Sequence, residues 1–424
     1  MDRLKPTAPE KADREDRLQI SPRFALALLF MVGLAVPSFL FIRDLMLQQG
    51  GNITGNAFWG RDFTIWWTAG QLVAEGRLDL IYNLEAFQNE LMGRFGRLDW
   101  MGYPYPPLTW PVAALFGALP YFVAWGLWHA LSAALFLYAC RRWWKPGMGP
   151  LWLALVTPAA LFNIWAGHWG LLLSGLFLLG FDAVARGKPI AAGIFFGFMA
   201  VKPHLAVLVP VLLLVRREWT AIASAAVTVA LLVGVSALLF GIQPWLAYFD
   251  RMTGPQVSLI SSEGTLLSLM STSPTTAMLR VEVPNGIAWG VQLLLALGSV
   301  GLVAWAARDR RRLHEAALLA ASCTFLLLPY GFNYDLNAVT VAALFTATRP
   351  GVAIPFRLLA ALGFLAPGLG VAMGGFGLPA IPLMIAALVA AQLYAWFKAP
   401  AEATVGPSDQ PQNEARRLPW AARP

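Results

Sequence analysis

Apolar runs of about 20 residues, the length that crosses the hydrocarbon core of a bilayer, recur from Phe24 to the neighbourhood of Lys398 and leave only the two ends strongly polar. The first run, 24–42, has the basic flank of a secretory leader but no convincing small-residue cleavage site after it, so it reads as a transmembrane helix. Further crossings begin near 120, 150, 170, 189, 203, 220, 286, 315, 336, 352 and 380, about twelve in all by hydropathy. The apolar stretch Leu108–Leu119 is short and bracketed by Pro106-Pro107 and Pro120, which predicts a re-entrant or interfacial segment packed against protein. The runs 189–201 and 203–215 are also short, and Pro203 divides them. Helices that stop short are expected to leave a cavity at the outer face.

Composition agrees with this pattern: of 424 residues 58% are hydrophobic and 13% charged, which excludes a water-soluble globule. The net charge of +8 suggests nucleic acid only until the basic residues are located. They cluster at Arg141, Arg142 and Lys145, at Arg186 and Lys188, at Arg216 and Arg217, at Arg308 and Arg310–Arg312, at Arg349 and Arg357, and at Lys398. Each cluster opens or closes an apolar run, so these breaks face the cytoplasm under the positive-inside rule. The remaining breaks are the loop 43–106, Gly167-His168-Trp169, Lys202-Pro203-His204, the loop 242–285, Asn333-Tyr334-Asp335 and the glycine-rich 374–377, and these are expected outside. Residues 1–23 and 399–424 are too polar to bury a core and read as disordered cytoplasmic tails, which leaves 24–398 as the membrane domain. The two cysteines, Cys140 and Cys323, lie far apart in or beside apolar runs and suggest neither a disulfide framework nor a zinc site.

Within 43–106, Asp62 to Gly76 places Phe63, Trp66, Trp67, Gly70 and Leu72 at roughly helical spacing, and Leu84 to Phe95 repeats the pattern. Both predict amphipathic helices lying on the membrane. Trp59, Trp66, Trp67, Tyr82, Trp100, Tyr103 and Tyr105 suit an aromatic belt at the headgroup level, with sugar stacking as the alternative. The chain has no P-loop, no H-E-x-x-H and no G-x-S-x-G. It also lacks an Asp-x-Asp pair of the kind that holds a metal on a nucleotide diphosphate, which disfavours a cytosolic nucleotide-sugar donor.

Asp62, just after Arg61, opens the first predicted external helix, where it can serve as an N-cap or as a carboxylate that takes a proton from a hydroxyl. Asp44, Asp79, Glu85, Glu90 and Asp99 are near in sequence, but most stand in charge-mixed contexts that read as solvated, so each ranks well below Asp62. Lys202 is flanked by Ile190–Val201 and Leu205–Val215 with no opposite charge near in sequence. An ionisable side chain at membrane depth points to a functional partner, with snorkelling to the interface as the other reading. With His204, and His168 in another break, it offers cationic and hydrogen-bonding groups suited to a phosphate. Asn333, Tyr334 and Asp335 read either as a turn with a capping aspartate or as a site for sugar hydroxyls.

The order Asp62-Phe63, Trp66-Trp67-x-Ala69-Gly70, Tyr82-Asn83, Tyr103-Pro104-Tyr105-Pro106-Pro107-Leu108, Leu119-Pro120-Tyr121 with Trp125 and Trp128, Gly193 and Gly197 before Lys202-Pro203, then Tyr330 and Asn333-Tyr334-Asp335, resembles glycosyltransferase family 87 across about residues 24–398. Its members are polyprenyl-phosphate-mannose-dependent mannosyltransferases and relatives with the C-type membrane fold. The resemblance implies an all-α polytopic protein and inverting transfer of a hexose, mannose first among them, from a polyprenyl-phosphate carrier to a lipid or glycan acceptor at the outer face of the bacterial inner membrane. It implies Asp62 as general base and Lys202 near the donor phosphate; beside it, the residues themselves make His204 and His168 candidates for the same phosphate and Arg61, Tyr105, Asn333, Tyr334 and Asp335 candidates for sugar or acceptor. Where relatives often carry Gly-Gln after the fourth helix, this chain has Gly167-His168. A lipid monophosphate offers no diphosphate to chelate, so no metal or other cofactor and no nucleic-acid partner is expected. The rival readings are a secondary transporter, which also has many helices and broken ones, and a non-catalytic glycolipid flippase.

Overall fold

The computed structural model describes residues 21–53, 57–96, 102–252 and 266–399. The tails at 1–20 and 400–424, Asp99, Trp100 and the middle of the 242–285 loop lie outside the described residues, and so do the expectations made for them. Among the described residues the chain is helical apart from one two-stranded hairpin.

Helix α1 (Pro22–Leu47), with Ser21 accepting from the Phe24 amide, leads to β1 (Asn52–Ile53) and β2 (Ala57–Phe58), antiparallel with Asn52 opposite Phe58. Then come α2 (Phe63–Ala74), α3 (Leu84–Phe95), the short α4 (Trp110–Gly117) and α5 (Tyr121–Cys140). Next are α6 (Pro158–Ala166), α7 (Gly170–Ala185), α8 (Pro189–Phe198), α9 (Val209–Arg216) and α10 (Trp219–Phe240). The chain continues through α11 (Gln243–Met252), α12 (Leu266–Leu269), α13 (Pro274–Leu279) and α14 (Asn285–Ala307), and ends with α15 (Leu313–Leu327), α16 (Asn337–Thr348), α17 (Ile354–Gly375) and α18 (Ile381–Lys398).

Six of these, α1, α5, α10, α14, α17 and α18, are long and apolar enough to cross a membrane. The other six expected crossings are shorter. The run from 150 divides into a 3-10 stretch, Leu151–Val156, and the nine-residue α6, about 13 Å of helix. The reason lies in the environment. Helices α7, α15 and α16 are buried almost all round and need no full span, whereas α10 keeps an apolar face outward, with Leu238 89% exposed. An apolar surface of that extent on so many long helices calls for hydrocarbon around it, and the protein is a membrane protein.

The segment 108–119 does not span: it is a 3-10 turn followed by α4, packed on α2. Two glycines permit the approach, since a Cβ at Gly70 would lie 2.0 Å from the Ala113 carbonyl oxygen and one at Gly117 2.9 Å from Gly70 Cα. That contact corrects the expectation for α2. It is no surface helix, because residues 63–70 and Leu72 are all buried. Only α3 buries a single face, through Phe87, Gln88, Leu91 and Phe95. Its exposed side carries Glu90, whose carboxyl burial would raise but which hydrogen bonds from Arg94 and Arg77 hold below the usual carboxylate range. The aromatic belt is corrected too: Trp66, Trp67, Tyr82, Tyr103 and Tyr105 are core residues. Large rings bury most when packed on one another, and polar tips find internal partners; Trp67 Nε1 donates to Leu119 O at 3.0 Å and Tyr82 Oη to Tyr105 O at 2.7 Å.

The basic breaks meet one another at one end of the helices. Arg216 donates to the Asp309 and Arg310 carbonyls, Arg310 donates back to Arg216 O, Arg312 reaches Trp396 O and Ala399 O, and Arg349 pairs with Glu315. The breaks without basic clusters meet at the other. Thr272 N–H donates to Gly331 O, Asn333 N–H to Met270 O and Arg280 to Gly374 O.

Helices α8 and α10 pack through the small-residue motif Gly193-x-x-x-Gly197, the spacing that lets membrane helices approach by backbone. A Cβ at Gly197 would lie 2.5 Å from Thr228 Cβ. Gly197→Leu is therefore expected to destabilise by about 1–3 kcal/mol, while Gly234→Leu on α10, with open space around the site, is expected to leave stability unchanged. Thermal unfolding in detergent checks this; equal melting temperatures for the two variants would contradict the packing.

Candidate functional site

The site is assembled from breaks in helices. Residues 60–62 turn sharply into α2: Gly60 has φ 91° and Arg61 φ 42°, a left-handed conformation that strains a non-glycine residue by on the order of 1–3 kcal/mol. The next break, between α6 and α7, lies against this turn. Asp62 N–H donates to Ala166 O at 3.0 Å, and a Cβ at Gly167, where φ is 70°, would sit 2.4 Å from Gly60 O. Only glycine allows the two turns to touch, and their contact brings Asp62 to His168. A third break, between α8 and α9, consists of the 3-10 turns Met199–Val201 and Pro203–Ala206 with Lys202 between them. The fourth follows α15: an extended Phe332 bridges to Ser271, and Asn333–Asp335 form a 3-10 turn before α16.

Side chains from these breaks form one polar chain. Asp62 Oδ2 lies 3.2 Å from His168 Nε2; Lys202 Nζ lies 3.0 Å from His168 Nδ1 and donates to both Asp335 oxygens at 3.0 and 2.9 Å. An ammonium can only donate, so Nδ1 accepts, and a neutral His168 then carries its proton on Nε2 facing Asp62. The Tyr105 hydroxyl is 3.3 Å from the same Nε2. Tyr334 stacks on the imidazole, centroids 4.1 Å apart and planes 17° from parallel, and lies 5.2 Å from the ammonium. The side chains of His168, Lys202 and Asp335 are at most 9% exposed, against 25% for Asp62. Asp62 is thus the carboxylate of the chain that an incoming molecule reaches, and it is backed by a hydrogen-bond donor and a buried ion pair.

Several residues stand differently from the expectations. Asp62 precedes α2 without capping it: its backbone is αR, and its side chain makes no cap hydrogen bond, because the carboxylate turns to His168. Asp335 likewise spends its carboxylate on Lys202 rather than on the following helix. Lys202 does not snorkel. Its three N–H donors have three acceptors, so contact with a phosphate requires an exchange of partners. Asn333 Nδ2 donates to Pro367 O at 2.8 Å and fastens its turn to α17. His204 is half-buried with its ring 5.9 Å from that of Tyr330. Arg61 points to Asp44 and Trp165, partners within the fold.

Asp44 is the residue the sequence reading ranked too low. It is fully buried, with Arg43 and Arg61 on its oxygens and Trp165 Nε1 donating at 2.8 Å. The available signal was a carboxylate near the end of an apolar run, the same signal that singles out Lys202. Among the described residues no group of three or more His, Cys, Asp or Glu is placed to hold a metal ion.

The class this chain falls in is set by comparison. Residues 103–329, just over half of its length, match the family model of glycosyltransferase family 87, and the chain belongs to that family. It is a membrane glycosyltransferase. No curated protein and no solved structure matches it. The matched span contains Tyr105, His168, Lys202 and His204; Asp62 and the 333–335 turn lie outside it and join the site through the fold.

Removing one partner of a buried ion pair typically destabilises by about 3–5 kcal/mol, so Lys202→Met and Asp335→Asn are each expected to lower stability by that order. The double variant is expected to lose less than the sum of the singles by at least ~1 kcal/mol, read as a double-mutant cycle of unfolding in detergent. Strict additivity would contradict the pair.

Proposed function

We propose that the protein is an inverting hexosyltransferase that moves a hexose, mannose in the first instance, from a polyprenyl-phosphate carrier to a lipid or glycan acceptor. The observation that carries this reading is the part-exposed Asp62 carboxylate held against a buried His168, Lys202 and Asp335 chain at a convergence of broken helices. In the proposed step the acceptor hydroxyl oxygen attacks the anomeric carbon from the face opposite the phosphate. Its proton passes to Asp62, the bond from the anomeric carbon to the phosphate oxygen breaks, and the electron pair leaves on the lipid phosphate. One base is enough for a single displacement.

The phosphate gains charge as it leaves, and fixed donors aimed at that charge lower the barrier. In this reading it docks at the break 202–204, where His204 is half-buried and Lys202 supplies positive charge from behind, His168 being the link between that charge and Asp62. The bilayer supplies the carrier, which accounts for a site at helix breaks rather than in a soluble domain. No metal or cofactor is invoked. Positive-inside placement puts the basic breaks in the cytoplasm and this site at the periplasmic face of an inner membrane, with both termini cytoplasmic.

Since Asp62 makes no cap hydrogen bond and an asparagine oxygen can still accept from His168 Nε2, Asp62→Asn removes the base while keeping the structural contact. Purified protein given labelled polyprenyl-phosphate hexose and an extracted lipid pool is expected to lose transfer by about 10²–10⁴-fold at an unchanged melting temperature. Wild-type turnover in that variant would reject Asp62 as the base. Sidedness is read by thiol labelling, as Cys140 and Cys323 are buried. A cysteine at Asp79 is expected to react with an impermeant reagent from outside, and cysteines at Arg142 and Arg311 only after permeabilisation. The reverse pattern would place the site in the cytoplasm.

A further inference from the structure

Arg61 is an arginine in a backbone conformation that glycine or asparagine would take with less strain, so the reason for it lies in its side chain. That side chain is 12% exposed; one terminal nitrogen lies 2.7 Å from Asp44 Oδ2, and the guanidinium carbon sits 3.9 Å from the centre of the Trp165 ring. Trp165 Nε1 donates to the same Asp44 oxygen at 2.8 Å. The next residue repeats the connection through the backbone, Asp62 N–H donating to Ala166 O. Two successive residues, 61 and 62, are thus fastened to two successive residues, 165 and 166, just before the turn that carries His168. The far end of the clamp is Asp44, inside α1 and neutralised also by Arg43.

We propose that Asp44, Arg61 and Trp165 are positioning residues that hold the Asp62 carboxylate at its distance from His168. Their effect on transfer rests on the reading of Asp62 as the base. A loop anchored only by the turn itself would let the carboxylate move by an ångström or more, and displacement of that size at a reacting group lowers rate about 10²-fold. Arg61 makes no contact with the acceptor in this account; it acts through the position of its neighbour.

The test uses the full-length protein in detergent with Arg61→Gln and Asp44→Asn. Both variants keep Asp44 or its replacement hydrogen-bonded to Trp165, and Arg43 still faces residue 44, so folding is expected to survive. In each, kcat for hexose transfer is expected to fall about 10–100-fold with donor KM within about twofold. The double variant is expected to be no worse than the worse single, and Arg61→Gln is expected to add no further loss on top of Asp62→Asn. A loss of the same size in the Asp62→Asn background would show that Arg61 acts otherwise, and would overturn the proposal. A second readout does not use activity. A cysteine at position 62 is expected to react with a small thiol reagent about fivefold faster or more once Arg61→Gln frees the loop. An unchanged labelling rate overturns the clamp whatever the activities. A faster rate together with normal transfer by Asp62→Asn upholds the clamp as what fixes this turn and removes instead the reading of Asp62 as base.

Discussion

An ammonium at Lys202 and a carboxylate at Asp335, 133 residues apart in the chain, meet inside the protein with no more than a tenth of either exposed. Neither charge is sustainable there alone, because desolvation of an ion takes several kcal/mol that only a well-placed partner returns. The pair therefore fixes which helix breaks must face each other, the Pro203 break and the turn after α15. It also fixes the proton on His168, since the lysine occupies Nδ1. The other polar side chains of the site are arranged around that pair, and Asp62, 25% exposed, is the more exposed of the site's two carboxylates.

The same rule operates throughout the described residues. Asp44 is buried with two arginines and an indole on its oxygens, and Glu315 is buried with Arg349. Each of these carboxylates is buried in the company of an arginine. The aromatic residues obey the parallel logic for rings: Trp66, Trp128 and Trp169 pack at 4.6 to 5.3 Å between centroids, and Trp128 Nε1 donates to the His168 carbonyl. The wall behind the catalytic candidate is thus built from the ring side chains that also make the core of the first loop. A membrane glycosyltransferase gains from this: an aromatic wall holds a polar chain in a low-dielectric setting where fixed donors are strong.

How much of this was legible in the sequence depended on whether the deciding interaction is local. Lys202 was legible because a charge inside an apolar run must either find a partner or reach the interface. Its partner was not, since nothing in the order of residues says that Asp335 returns to it, and the local pattern at 333–335 reads equally as a capped turn. At Asp62 the start of helix α2 was legible, but not that the carboxylate leaves the cap unmade and turns to His168. Helix α2 itself was misjudged because a three-to-four periodicity of aromatics looks the same whether the opposite face meets headgroups or α4. The glycines at 70 and 117, visible in the sequence but separated by a loop, decide that contact. Crossing number rests on a related ambiguity: six helices are long and apolar enough to cross, and for the shorter ones hydropathy cannot tell lipid from the interior of a large helical protein.

The proposed reaction is a single displacement at the anomeric carbon with Asp62 as base. The most direct measurement is the configuration of the product formed by purified wild-type protein from a polyprenyl-phosphate hexose labelled at the anomeric carbon, read by NMR through the one-bond carbon–proton coupling. The account predicts a product whose anomeric configuration is opposite to that of the donor. Retention of the donor's configuration would contradict it, because that outcome requires two displacements and a second reacting group that this arrangement does not assign.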